Sequence, residues 1–303
     1  MASNRRKKRQ HRIELFFVRS LQLILWSVPI NTALAIADVV GWFIFSIVRI
    51  RRKVVLKNLQ RAFPSKTYRE RVKIAKKTYQ NFTKMAFEYM RFPIIKKDEL
   101  FSLCRLKGGE HIEWALKNGK GSVLVAGHFG NWELMGGYLS MSGYPISFLV
   151  GKQHNGFIDE LMNKYRRLMG VDIIPMGYAV RGVIRALRNN KFVALLSDQD
   201  ARRNGVFVDF FGIKASTPQG PAVFALKTGA PIIFGSAIRV KGARHLFKLQ
   251  LLRFDHLDGI TPENIQEVTQ AYTSLLEQHI REHPDHWFWM HKRWKTRFPI
   301  IKN

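Results

Sequence analysis

The residues best suited to chemistry lie in Val123-Leu-Val-Ala-Gly-His128-Phe-Gly-Asn131-Trp-Glu133. An apolar run ends at Gly127, His128 follows at once, Gly130 permits a tight backbone, and Asn131 is a residue type that caps helices. The pattern puts an imidazole on a strand-to-helix turn. Glu133 then falls in the first helical turn, where its carboxylate is expected to meet the ring. A carboxylate on one imidazole nitrogen fixes the tautomer and leaves the other as a general base. No Ser or Cys stands in the motif, so the nucleophile would be a substrate hydroxyl or water. Spacing alone equally allows a plainer reading, in which His128 satisfies buried backbone and Glu133 complements the helix dipole. A zinc site is not expected, because His-x4-Glu lacks further ligands at the usual spacing.

Four other blocks could carry chemistry. Leu195-Leu-Ser-Asp198-Gln-Asp200 ends another apolar run. Acids at i and i+2 of an extended chain point to one side, where they would orient a base, hold a cation, or pair with Arg202 or Arg203. Phe207-Val-Asp-Phe-Phe-Gly212 with Ala215-Ser-Thr217-Pro-Gln-Gly220 reads as an aromatic hairpin running into a helix; it would line an acyl-chain groove or simply fill the core. Tyr165-Arg166-Arg167 closes a helix, which suits the dipole or bidentate binding of phosphate. Pro284 to Arg297 interleaves Trp, His, Lys and Arg, a mixture that suits stacking on nucleic-acid bases or a membrane interface.

The elements that must position these residues alternate. Strands are expected at Ser122–Ala126, Ile146–Val150, Asp172–Ile174, Phe192–Ser197, Val206–Phe210, Pro231–Val240 and Phe247–Phe254. Helices are expected at 52–61, 67–91, Glu110–Lys117, Asn131–Ser142, Gly156–Met169, Val180–Asn189, Pro218–Thr228 and Glu263–Glu282. The alternation predicts an α/β fold with a mixed, largely parallel central sheet flanked by helices. Active sites of such folds collect at the carboxyl ends of strands.

Composition narrows the class. The chain has 303 residues, enough for a full core, with 50 Lys and Arg against 22 Asp and Glu, a formal charge of +28. Such a surface seeks polyanions: nucleic acid, an anionic bilayer or an acidic carrier. One cysteine, Cys104, excludes an internal disulfide and any multi-cysteine metal site. Residues 1–61 hold thirteen basic residues and two acids, Glu14 and Asp38, around the uncharged run Ser20–Ala37 and the apolar run Val39–Val48. Residues 1–50 therefore read as a basic, membrane-anchoring segment ahead of a single domain over 51–303. Eighteen uncharged residues reach roughly 27 Å as a helix, just enough for a span. Both flanks are basic, which favours a re-entrant or interfacial hairpin broken at Pro29 and Asn31. Ala35-Ile36-Ala37 also fits a signal-peptidase site, although apolar sequence continues past it. A buried helical hairpin is the remaining alternative.

Four blocks in order resemble the bacterial lipid A late acyltransferases, the lauroyl/myristoyl transferases within the wider His-x4-Asp/Glu acyltransferases. They are His-Phe-Gly-Asn-Trp-Glu at 128–133, Ser-Asp-Gln-Asp at 197–200, Phe-Phe-Gly to Thr-x-x-Gly at 210–220, and Trp-Phe-Trp-Met-His-Lys-Arg-Trp-Lys at 287–295. The likeness also takes in the N-terminal anchor and Asn58-Leu59…Phe63-Pro64. It implies an α/β enzyme on the cytoplasmic face of the inner membrane, without metal or cofactor. Such an enzyme moves an acyl chain from acyl carrier protein to a hydroxyl of a lipid A precursor on an anionic phospholipid surface. By the resemblance His128 is the catalytic base and Glu133 its acidic partner. Arg166 falls where the family has an arginine proposed to contact substrate, and Asp198 and Asp200 match an acidic pair taken with it as substrate-binding. The mycobacterial mannoside acyltransferase of phosphatidylinositol shares these features with a different glycolipid and acyl-CoA, so donor and acceptor stay open. A basic nucleic-acid binder is the rival from another class, with no recognised nucleic-acid motif to support it. A hydrolase that activates water with His128 is a second rival.

Overall fold

The structure, a computed structural model, describes residues 2–298. Two helices lead, α1 (Ala2–Ser27) and α2 (Ile30–Phe43), the second running on through a π-turn over Ile44–Val48. α3 (Arg52–Ala62) and α4 (Tyr68–Met90) follow, and then α5 (Lys97–Leu103), β1 (Cys104–Lys107) and α6 (Gly109–Lys117). The central alternation is β2 (Ser122–Ala126), α7 (Trp132–Met141), β3 (Ile146–Val150), α8 (Gly156–Leu168), β4 (Asp172–Pro175), α9 (Ala179–Arg188) and β5 (Phe192–Leu196). The hairpin β6 (Val206–Phe210) and β7 (Ile213–Thr217) precedes α10 (Gly220–Thr228), β8 (Ile232–Lys241), β9 (Arg244–Leu252) and α11 (Pro262–Glu282).

Seven strands form one sheet in the order β1-β9-β8-β2-β5-β3-β4. β8, β2, β5, β3 and β4 are mutually parallel, while β9 runs antiparallel to β8 and carries β1 parallel to itself. The expected mixed, largely parallel sheet is therefore present. Its inner strands read as unbroken apolar runs because both faces are covered. Val123, Val125, Val193, Leu195 and Phe234 pack against α9, α10 and α11, and Leu124, Ile146, Phe148 and Ile233 pack against α7 and α8. The sequence pattern misses α5, β1 and β7. β1 is a four-residue edge strand, Cys-Arg-Leu-Lys, with too little apolar signal to stand out.

The N-terminal helices break at Val28-Pro29, so the uncharged run Ser20–Ala37 straddles a corner rather than forming one span. Among the described residues, one helical stretch, Ile30–Val48, is long and apolar enough to cross a membrane. It is also half of a hairpin docked on the domain. Ala33, Leu34, Ala37 and Gly41 are buried, and a Cβ at Gly41 would sit 2.6 Å from the Gln80 backbone on α4. Trp26 Nε1 and Gln22 Nε2 donate to the Met90 carbonyl, and Arg91 donates to the carbonyls of Leu25 and Val28. The outer faces stay apolar and exposed: Ile13, Phe16, Phe17, Leu23 and Ile24 on α1, and Ile36, Val39, Trp42 and Phe43 on α2.

Candidate active site

The parallel strands deliver their carboxyl ends to one rim of the sheet, and His128 sits there two residues beyond β2. Asn131 caps α7 by accepting the Leu134 N–H at 3.0 Å, as its residue type predicts. Gly130 has φ +60°, and a Cβ there would lie 1.6 Å from the Ala237 carbonyl oxygen. Only glycine closes this turn.

The carboxylate on His128 is not the one the motif suggests. His128 Nδ1 donates to Asp198 Oδ1 at 2.7 Å, and the His128 backbone N–H donates to Asp198 Oδ2 at 2.8 Å. The expected Glu133–His128 contact is replaced because β2 and β5 are hydrogen-bonded neighbours, with Ala126 opposite Leu196. Their next residues emerge side by side. Trp287 Nε1 also donates to Asp198 Oδ2, at 2.7 Å. Burial opposes ionisation of Asp198, but the His128 charge and these hydrogen bonds outweigh it and hold the carboxyl at about 2. Burial likewise opposes protonation of His128, and the Asp198 charge and hydrogen bond reverse the balance, raising its pKa above the ordinary histidine value. The ring is 22% exposed, against 2% for the Asp198 side chain. Its free Nε2 points to the Gln199 carboxamide, 3.4 Å away.

Glu133 instead holds Arg166 of α8 through two bonds, Nε to Oε2 at 3.0 Å and Nη2 to Oε1 at 2.5 Å, while Nη1 reaches Asn163 at 2.9 Å. Both residues are buried. Removing one partner strands a buried charge, whereas an apolar pair of similar volume is tolerated. Glu133→Gln should therefore lower unfolding free energy by about 3–5 kcal/mol, and Glu133→Gln with Arg166→Met should recover most of it. Denaturant titrations of both single variants and the double one check this; additive losses would refute a coupled pair.

Asp198 and Asp200 do not share a side. β5 ends at Leu196, so the extended geometry assumed for them is lost. Asp200 accepts from Thr296 N–H and Oγ1–H and from Arg202 N–H, and its own N–H donates to His291 Nε2. These contacts make Asp200 an anchor for the C-terminal segment rather than a cavity residue. The Trp-rich segment is interior too. Trp287, Trp289 and Arg293 are at most 1% exposed. Arg293 donates to the Ser216 carbonyl and the Thr217 hydroxyl, so the block is packing and not an open stacking platform. The segment also clasps the site: Gly130 N–H donates to the His286 carbonyl at 2.8 Å and Phe288 N–H to the His128 carbonyl at 2.9 Å.

A cavity of about 410 Å³ opens beside His128. Gln199, Gln153, Met176 and Leu196 line it at the strand ends, with Glu133 and Arg166 on its helical side. Leu124, Ala194, Ile146, Phe148, Gly136 and Leu139 continue it down the sheet face between β2, β3, β5 and α7. From the Leu196 level to the Ile146 level is four residues of strand, roughly 13 Å. This apolar slot, not the Phe207–Phe210 hairpin, has the form of a chain-binding groove. Phe210 and Phe211 are core residues against Trp287 and Trp289. Sequence reasoning missed Gln199, Trp287 and the slot itself.

The profile of the bacterial lipid A biosynthesis acyltransferases matches residues 3–296. The chain belongs to that family. It is 30% identical over 213 residues to a phosphatidylinositol mannoside acyltransferase of Mycobacterium tuberculosis, covering 68% of this chain and 66% of that relative, just under two thirds of its length. It is 27% identical over 257 residues to the lipid A biosynthesis lauroyltransferase of Escherichia coli, covering 82% and 80% of the two chains. It is 22% identical over 249 residues to the palmitoleoyltransferase of the same organism, covering 82% and 79%. The family member thus carries His128 and Asp198 at the mouth of an apolar slot, with Glu133 and Arg166 in its wall.

Proposed function

We propose that this protein is a membrane-bound acyltransferase that moves a fatty acyl chain from a carrier-protein thioester to a hydroxyl of a lipid A precursor. The observation that carries the reading is an imidazole with one nitrogen tied to a buried carboxylate and the other open to an apolar cavity. With Nδ1–H committed to Asp198, Nε2 holds a lone pair and accepts a proton. The acyl chain lies in the slot with its thioester carbonyl beside His128. The acceptor hydroxyl gives its proton to Nε2 as its oxygen attacks that carbonyl, and no acyl-enzyme forms. The imidazolium then protonates the departing thiolate. Glu133 holds Arg166 in the slot wall and adds negative potential at His128.

The α1–α2 hairpin, within the segment 1–50, is the anchor. Its outward stripes Ile13, Phe16, Phe17 and Ile24, with Val39 and Trp42, suit insertion into one leaflet, and the surrounding cations suit anionic headgroups. An anchor of this kind supports a site on the cytoplasmic face of the inner membrane of a Gram-negative cell, the side on which a carrier thioester would be supplied. A charge of +28 fits an acidic carrier as donor and phosphorylated lipid as acceptor. The similarity to the mannoside acyltransferase supports a second reading, transfer to another glycolipid from acyl-CoA.

One experiment tests the proposal. Purified protein is floated with anionic vesicles holding a tetra-acylated lipid A precursor, supplied with acyl-carrier or acyl-CoA thioester, and the lipids are read by mass spectrometry. The expected result is co-flotation and one added acyl chain, faster from the carrier thioester. Free fatty acid as the main product would make the protein a hydrolase, and a soluble, inactive protein would end the proposal.

A further inference from the structure

We infer that the Gln199 carboxamide is the side-chain donor for the oxyanion formed at the thioester carbonyl; the inference rests on the acyl-transfer reading above. The backbone N–H groups of His128, Phe129 and Gly130 are already spent. His128 N–H is on Asp198 Oδ2. Phe129 N–H is on the Gly127 carbonyl at 2.7 Å, and Gly130 N–H is on the His286 carbonyl. Arg166 lines the slot too, but three of its five N–H groups are given to Glu133 and Asn163, which ties the guanidinium to the helical side, whereas no contact joins it to His128 Nε2 among the described residues. Gln199 lines the same mouth, and among the described residues its Nε2 makes only the 3.4 Å contact with His128 Nε2. At that length the bond is weak, so the amide is cheaply released.

The chemistry needs that release. The acceptor hydroxyl must take the place of the amide on Nε2. As the hydroxyl oxygen bonds to the carbonyl carbon, its proton passes to Nε2 and the carbonyl π pair moves onto the carbonyl oxygen. Both oxygens are then on one carbon, so a donor adjacent to the base is adjacent to the oxyanion. The displaced N–H meets the developing charge, a position that rewards the transition state over the ground state. On collapse the carbon–sulfur bond breaks and the thiolate takes the proton from the imidazolium.

Gln199→Met keeps the side-chain length and removes both N–H groups. Its kcat should fall by about 10²–10³-fold, with both KM values within about threefold of wild type. The acid limb of the pH profile should not move; a group acting only through His128 would shift it. A second measurement does not use turnover. Dodecylphosphonate carries a tetrahedral anion on an alkyl chain, and it should bind the variant at least about tenfold more weakly, with dodecanol binding unchanged. Gln199→Ala repeats both measurements should the methionine variant misfold. Wild-type kcat, a loss confined to KM, or undiminished phosphonate affinity overturns the inference. Weaker phosphonate binding in a protein that acylates no lipid would uphold Gln199 as the anion donor and reject acyl transfer.

Discussion

Replacing His128 with alanine should lower kcat for acyl transfer by about 10²–10⁴-fold, the range expected for a positioned general base. The fold should survive. The imidazole lies at the cavity mouth, and Asp198 keeps two donors without it, the backbone N–H of residue 128 and Trp287 Nε1. Initial rates on a vesicle-borne acceptor, with melting temperature as the control, decide the matter. Turnover near wild type would remove His128 from the chemistry. The wild-type pH profile carries the same signature. Because the folded ring titrates above the ordinary histidine value, kcat/KM should fall as pH drops through that raised pKa, and hold at higher pH where the ring is neutral.

Asp198→Asn is expected to be as damaging or worse, up to about 10⁴-fold, by the loss of a tautomer rather than of a group. Asp198 accepts three hydrogen bonds, two of them at Oδ2. An asparagine has one oxygen, which the backbone N–H and Trp287 hold. Its NH₂ then faces Nδ1, which must become an acceptor, and the proton moves to Nε2, where it blocks the base. The anionic partner that raises the imidazole pKa also disappears, leaving burial to depress it. The acid limb should therefore move to lower pH while the plateau collapses. Kinetics across pH separate this from simple unfolding. An unshifted limb, or a plateau within a few-fold of wild type, would assign the orienting role elsewhere.

The motif at 123–133 was readable because each of its features is local. A buried strand, a glycine turn, a capping asparagine and a helical first turn are all decided within a dozen residues, and each stands where its residue type requires. The family resemblance, carried by four such blocks, agrees with the match across residues 3–296. The partner of His128 was not readable, because a contact 70 residues away depends on which strands are neighbours. Glu133 was the nearest carboxylate along the chain, and β5 supplied a nearer one in space. The slot was hidden for another reason. Gly136, Ala194 and Gly235 help line it by being small, and missing volume leaves no motif. A Cβ on Gly136 would lie 2.1 Å from the Phe148 ring, a constraint visible only once α7 is laid on β3. The Trp-rich tail was conspicuous, but its composition could not separate an exposed face from an interior one.

The clasp formed by residues 284–296 bears on the order in which a working molecule comes into being. The α1–α2 hairpin is translated well before that clasp. The turn that holds His128 takes its last backbone partners from His286 and Phe288, and Asp198 takes one of its donors from Trp287. A nascent chain stalled anywhere before those residues emerge from the ribosome has an unfinished centre. Completion of that centre therefore waits until residues 284–296 have joined the fold.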